Sequence, residues 1–377
     1  MSVARGSPPH KRRNTLQAIF LVAMRRPARV LLSLLPVIGA GLTLLPGCGV
    51  RYVATSAYYE AELLLSRKPA AKVLKEYTLS AGEEQRLRLI PRIKDYGYKL
   101  GLAATDNYDT VAVGWNRTIW NVSACDPIAF EPVTWWFPIT GRVPYLGYFT
   151  NEAAQAQADH LAAEGHDVYK RTAGAFSTLG WFRDPVLPEM LTWSEPDLAE
   201  TVFHELAHAT LWVPGSVPFN ESFANFVGVT AAHRYLADTY GPESPVLLDT
   251  LRDERDYDRF RRLLHQLYTE LDAVYRDPAT SDDDKKARKA ALLASLPNRI
   301  RASDIESKER YAVRATRTPW NNARLMQFKA YNSNEGTFQA LLDRSGGDLS
   351  RFITTIGEIT RHQRDPFAAL KAAVGEK

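Results

Sequence analysis

Apolar residues recur at helical spacing near both ends of the chain and alternate at strand spacing in between. From 49 to about 105 the pattern is helical. Tyr58, Tyr59 and Leu63 to Leu65 open one amphipathic stretch, and Leu87, Ile90, Ile93 and Leu100 share a face of a second that starts at Ser80. Runs rich in β-branched and aromatic residues follow at 111–115, 119–122, 133–137 and 143–149. Asp126-Pro127, Glu131-Pro132 and Gly141 separate them, so they predict short strands of one twisted sheet. A helix is expected over 152–164, closed by Gly165, and then a strand over 168–179.

Ser194-Glu195-Pro196-Asp197 places a capping serine before an acidic third position, with proline in the first turn. A helix therefore starts here and runs to Trp212, where Pro214-Gly215 stops it. The next helix is expected to open on Asn220 as its N-cap and to reach about Tyr240. From Arg252 to about Ala312 the pattern is a charged helical hairpin, broken at 278–284, and two more helices flank Gly346-Gly347. The sum is an α+β fold without internal repeats: a helical and sheet part over 49–193, a helix pair over 194–240, and a helical half over 241–377.

At 377 residues, 45% hydrophobic and 24% charged, the composition is that of an ordinary globular protein. The net charge of +4 misleads about its folded part. Arg5, Lys11, Arg12, Arg13, Arg25, Arg26 and Arg29 all precede residue 48, and no acid does; taking those seven from 47 leaves 40 basic against 43 acidic residues. A basic stripe on the folded part is what nucleic acid would require, so no nucleic-acid partner is expected. The basic segment instead precedes an uncharged run over 30–46, with Pro36, Gly39 and Gly41 inside it, that ends in Leu45-Pro46-Gly47-Cys48. That arrangement reads as an export leader over 1–47, starting at Met1 or Met24. Leu45 to Cys48 resembles a bacterial lipobox, in which lipidated Cys48 would tether the chain to a membrane at the cell envelope. A retained anchor helix and a plain secretory signal are the alternatives. Cys125 is then left without a partner and reads as a small buried apolar residue.

The chemistry concentrates in the capped helix. His204-Glu205-Leu206-Ala207-His208 is an HExxH pattern, and positions i and i+4 lie on one helical face, so both imidazoles can meet one ion. Two imidazoles and a carboxylate suit a single Zn2+, and a catalytic site leaves its fourth position to water. Glu205 lies about 100° further round the helix, where it can accept a proton from that water and return it to a leaving amine. The connection after Trp212 is short enough to fold the next helix back antiparallel, which brings Glu221 opposite the histidines as third ligand. Asn225, one turn on, faces the same way and can orient a ligand imidazole. His160, His166, His233, His265 and His362 lack paired spacing and read as bystanders.

These residues, with Tyr58-Tyr59, Leu64-Leu65-Ser66-Arg67-Lys68-Pro69, Trp135-Trp136-Phe137-Pro138, Tyr145-Leu146-Gly147-Tyr148-Phe149, Ser177-Thr178-Leu179-Gly180-Trp181-Phe182, Asp184-Pro185-Val186-Leu187 and Asn321-Asn322-Ala323-Arg324-Leu325, carry a family resemblance. The chain resembles the bacterial zinc-dependent aminopeptidase lipoproteins, which belong to the gluzincins, HExxH enzymes with a glutamate third ligand. The resemblance implies a zincin-like fold, His204, His208 and Glu221 as ligands and Glu205 as base. Asn225 stands where thermolysin-type enzymes have aspartate, which would make its bond to a ligand weaker. The family pattern has cysteines where this chain has Trp136 and Arg142, so a disulfide bracing that loop is absent here.

Peptide hydrolysis also needs an oxyanion donor, for which Tyr331 is the first candidate and Tyr145 and Tyr148 come next. Ala175, Phe176, Ser177 and Thr178 are the candidate edge to which an extended peptide substrate would add as a strand. Exopeptidase action needs an acid for the substrate's α-ammonium; 174–182 holds none, and Asp184 and Glu189 lie just beyond. The expected function is zinc-dependent peptide hydrolysis at the cell envelope. An endopeptidase of the same mechanism and a non-catalytic zinc-binding lipoprotein are the alternatives, and an intact Glu205 disfavours the latter.

Overall fold

Ser80 starts the first long helix of the folded part by a reciprocal cap. Its hydroxyl accepts from the Glu83 N–H at 3.3 Å, and its own N–H donates to the Glu83 carboxylate at 2.8 Å. The computed structural model in which this is seen describes residues 48–137, 141–172, 183–329 and 335–376. The leader at 1–47, the candidate edge Ala175, Phe176, Ser177 and Thr178, and Tyr331 lie outside the described residues. The chain divides into two units, Met1–Glu60 and Ala61–Lys377, and the second holds the sheets, the helix pair and the candidate site.

Helix α1 (Cys48–Leu65) precedes β1 (Arg67–Pro69), α2 (Ala70–Glu76) and the capped helix α3 (Ala81–Lys99). Next come β2 (Thr110–Ala112), β3 (Trp120–Cys125), β4 (Trp135–Phe137), β5 (Gly141–Val143), β6 (Leu146–Tyr148), α4 (Asn151–Ala163) and β7 (Asp167–Thr172). Among the described residues the single sheet expected over this region is divided into three small antiparallel sheets: β1 with β2, β6–β3–β7, and β4 with β5. Most of these strands are three residues long because proline and glycine interrupt the chain so often. Beyond β3 the chain turns at Asp126-Pro127 and returns through Pro132, which bridges Cys125 while the Val133 N–H donates to the Ala124 carbonyl at 3.0 Å. Val122 and Ala124 of β3 meet Ala154, Ala158 and Leu161 of α4, with Val133 and Trp135 against them. Cys125 is buried elsewhere, against Met326 and the Ala129 carbonyl, to which it donates weakly, and burial pushes its thiol up to about 12, which makes it a poor nucleophile.

In the β4–β5 ladder Trp136 and Arg142 are direct cross-strand partners. The two positions at which the resemblance implies cysteines therefore face each other here. Opposed residues of an antiparallel pair have Cα atoms about 4.5–5.5 Å apart, within the roughly 4.4–6.8 Å that a disulfide spans. The double variant Trp136→Cys, Arg142→Cys should form an intrachain disulfide under mild oxidation, as mass spectrometry of the unreduced protein would show. Persistence of two free thiols would mean that the register is wrong.

Helices α5 (Glu195–Thr210) and α6 (Val217–Tyr240) form the antiparallel pair. Ser194 caps α5 as its sequence predicts, its hydroxyl accepting from the Asp197 N–H at 3.2 Å. Asn220 is not the cap of α6. The helix begins at Val217, and the Asn220 side chain is fully buried, accepting from the Val213 N–H at 2.8 Å and donating to the Val213 carbonyl at 2.9 Å. Both bonds hold the turn between the helices shut, a task that uses the same chemistry as a cap.

Two glycines set the closeness of the packing. A methyl group at Gly228 would lie 3.0 Å from the Glu200 carbonyl and 3.2 Å from the His204 Cβ, so α6 rests directly on the α5 backbone. One at Gly97 would meet Leu206 at 2.8 Å, so α3 closes on the other side. Among the described residues α5 is thus flanked by helices. Phe203, Phe219, Phe223, Phe338 and Phe352 are buried around the pair.

The charged hairpin appears as α7 (Pro245–Arg276) and α8 (Asp282–Ala294), with the break where it was expected and an earlier start, Pro245 taking the first turn. Helices α9 (Leu296–Ala302), α10 (Lys308–Arg317) and the short α11 (Asn322–Leu325) complete a second core around Leu264, Leu267, Leu271 and Ile300. The tail forms α12 (Glu335–Arg344), α13 (Leu349–Thr360) and α14 (Pro366–Val374), one helix more than the pattern predicts, because Asp365 caps an extra start.

Candidate metal centre

The close contact of α5 and α6 brings Glu221 opposite the histidine pair. His204 Nε2 and His208 Nε2 are 3.0 Å apart, Glu221 Oε2 lies 3.7 Å from the first, and Oε1 lies 3.4 Å from the second. Among the described residues these three form a group that could hold a metal ion. The donor set fits a tetrahedral ion: ligands at about 2.0–2.1 Å from a common centre stand about 3.3–3.4 Å apart, and the observed edges bracket that figure.

The protonation states agree with ligation. Burial, reinforced by His208, lowers the pKa of His204 to about 4, against the opposing pull of Glu221 and Asn225. Its ring is therefore neutral at pH 7 and offers a lone pair. The hydrogen bond to His208 holds the Glu221 carboxyl below its ordinary range, so it is anionic. With the two Nε2 atoms 3.0 Å apart, a proton on one ring can bridge to the other, and that proton is what a metal ion would displace. Asn225 interacts with His204 as its spacing from Glu221 suggested.

Glu205 is buried at 7% exposure. Its surroundings include Tyr108, whose phenol is raised well above its ordinary pKa by burial first and then by Glu205 and Asp184. Tyr108 is a residue that the sequence pattern does not single out. The Asp106-Asn107-Tyr108-Asp109 run signals a turn, but nothing in it says that the tyrosine points inward. The Asn321–Asn322 segment, by contrast, is structural. Asn322 N–H donates to Asp167 at 2.7 Å, Asn322 Nδ2 donates to the Asp126 carbonyl, Tyr275 OH donates to Asn322 Oδ1, and Asn321 Nδ2 donates to the Val168 carbonyl. Those to Asp167, Val168 and Asp126 tie the helical C-terminal half to β7 and to the turn after β3.

One turn before His204 lies a second polar group. His233 of α6 is 2.8 Å from both carboxylate oxygens of Glu254 on α7, so its bystander reading stands as far as the candidate metal group goes. Burial first, then Glu254 and Asp197, raise Glu200 to about 7 against the opposing effect of His233. An unfolded glutamate titrates near 4.3, so between roughly pH 4.5 and 7 the folded chain holds a proton that the unfolded chain has released. This stabilisation is complete below that window and lost as pH rises through about 7. Glu200→Gln should remove the slope, leaving stability unchanged near pH 4 and raising it by about 1–3 kcal/mol at pH 8. Denaturant unfolding at both pH values checks this, and an equal shift at both would refute it.

A family model described as "Putative aminopeptidase" matches residues 51–367. No curated protein and no solved structure matches the chain.

Proposed function

The chain belongs to that aminopeptidase family, and from this premise we propose that it is a zinc-dependent aminopeptidase whose ion is held by His204, His208 and Glu221. The observation that carries the proposal is the convergence of two imidazoles and an anionic carboxylate within 3.0–3.7 Å, from adjacent helices, next to an intact Glu205. Two nitrogens and one oxygen in this spacing are the donor set that zinc prefers among abundant divalent ions. Such an ion supplies Lewis acidity, making water a nucleophile near neutral pH and polarising the scissile carbonyl.

The rest falls to the chain's own groups. As the new C–O bond forms, the Glu205 carboxylate takes one proton from the attacking water. It gives that proton to the amine nitrogen as the C–N bond breaks. Asn225 steadies the His204 ring, and the buried setting of Glu205 strengthens its electrostatic interactions with the reacting groups. Tyr331 keeps its role as candidate oxyanion donor, and Ala175 to Thr178 theirs as substrate edge. Export by the 1–47 leader and lipidation of Cys48 would place the enzyme at a bacterial envelope, periplasmic in a two-membrane cell. No helix among the described residues is long and apolar enough to cross a membrane.

Metal analysis with peptide turnover tests the reading. The purified chain should carry one equivalent of zinc, lose turnover on chelation and regain it on zinc addition. Peptides with a free amino terminus should be cleaved and their N-acetylated forms resisted. Turnover indifferent to metal removal would sink the proposal, and equal cleavage of acetylated peptides would convert it to an endopeptidase.

A further inference from the structure

Trp212 follows α5 by two residues, and its indole meets the His208 imidazole edge-on, with ring centroids 5.7 Å apart and planes at 61°. Both of its chain neighbours are tied down. The Leu211 N–H donates to the Ala207 carbonyl at 2.9 Å, and the Asn220 side chain holds the Val213 N–H and carbonyl at 2.8 and 2.9 Å. Asn220 directly precedes Glu221, so the same bonds fix the Trp212 backbone against the start of α6.

A single exposed tryptophan is ordinary and asks for no partner. This one differs in its setting, because the indole touches the ring of a candidate ligand and still remains 37% exposed. The candidate metal group opens toward α6, where the Glu221 side chain is 44% exposed against 8% for His208. Val217, 52% exposed, stands one helical turn before Glu221 on the same face of α6. Apolar surface is thus left in water on both segments that border the opening, where covering it would be favourable. An extended peptide advances about 3.3 Å per residue, so a side chain beside the reacting bond falls within reach of a ring in contact with His208. The indole also offers a large, rigid face that loses little freedom when covered.

We propose that Trp212 is a specificity-determining residue: the exposed part of its indole, with Val217 at the same opening, receives an apolar side chain of the peptide substrate next to the bond that is cut. The inference rests on the peptidase reading above and adds a substrate class, peptides with a branched aliphatic or aromatic residue at that position. Small polar side chains gain nothing from the indole.

Leucyl-glycyl-glycine and seryl-glycyl-glycine isolate the side chain, since their backbones are identical. Wild type should prefer the leucyl peptide, and Trp212→Ala should remove about 10-fold or more of that preference in kcat/KM, with one equivalent of zinc retained. Trp212→Phe keeps an aromatic face and should hold most of the preference. A second readout needs neither metal nor turnover. In calorimetric titrations of the metal-free protein the leucyl peptide should bind more tightly than the seryl peptide, and Trp212→Ala should bring the two affinities together. A purely structural role for Trp212 would weaken zinc binding and affect both peptides alike, which would overturn the inference, as would a preference unchanged in Trp212→Ala. If wild type cleaves neither peptide, it is the peptidase reading that fails, and the metal-free titrations still decide whether Trp212 selects the apolar side chain.

Discussion

Glu205→Gln should reduce kcat by about 10³-fold or more while leaving one equivalent of zinc in place. Glutamine matches glutamate in shape but its amide cannot accept the water proton, so the change removes the chemistry and little else. The side chain takes no part in the converging group of His204, His208 and Glu221, hence metal affinity should not move. Nor should the fold weaken, because Glu205 is buried and a neutral amide is less costly to bury than a carboxylate. Inductively coupled plasma analysis and steady-state kinetics on the same preparation separate the two effects. Retained turnover with full zinc would show that another group moves the proton. Zinc lost together with activity would show that Glu205 supports the ligand set.

The parts of this molecule that could be read from sequence are those fixed by local rules. HExxH spacing, the Ser194 cap and the short return to α6 are all set within some thirty residues, and the structure places His204, His208 and Glu221 together as they require. The N-cap assigned to Asn220 went wrong for an instructive reason: a side chain that can bond a free N–H at a helix start can equally bond one in the preceding turn. The expected sheet failed because β-branched runs report burial as much as pairing. Val122 and Ala124 pack on α4 while β3 keeps a six-residue ladder with β7, and the β1–β2, β3–β6 and β4–β5 ladders stop at three residues.

Glu221→Ala should weaken zinc binding by well over 100-fold and abolish turnover at ordinary zinc concentrations. Even partners one bond removed from a metal are worth about 10–100-fold in affinity, so a directly coordinating carboxylate must be worth more. Loss of its charge also matters, since an imidazole ligand carries no negative charge and Glu221 alone offsets the ion's charge within the group. The fold should survive, because the Glu221 side chain is 44% exposed and its neighbours Asn220 and Phe223 hold the turn and the core without it. Asn225→Ala is the internal control: acting only through His204, it should cost about 10-fold at most. Calorimetric titration of the metal-free variants measures both. Should Glu221→Ala bind zinc as tightly as Asn225→Ala does, Glu221 is not a ligand. The ion would then be held by the helix pair's two histidines with a third donor from outside this group.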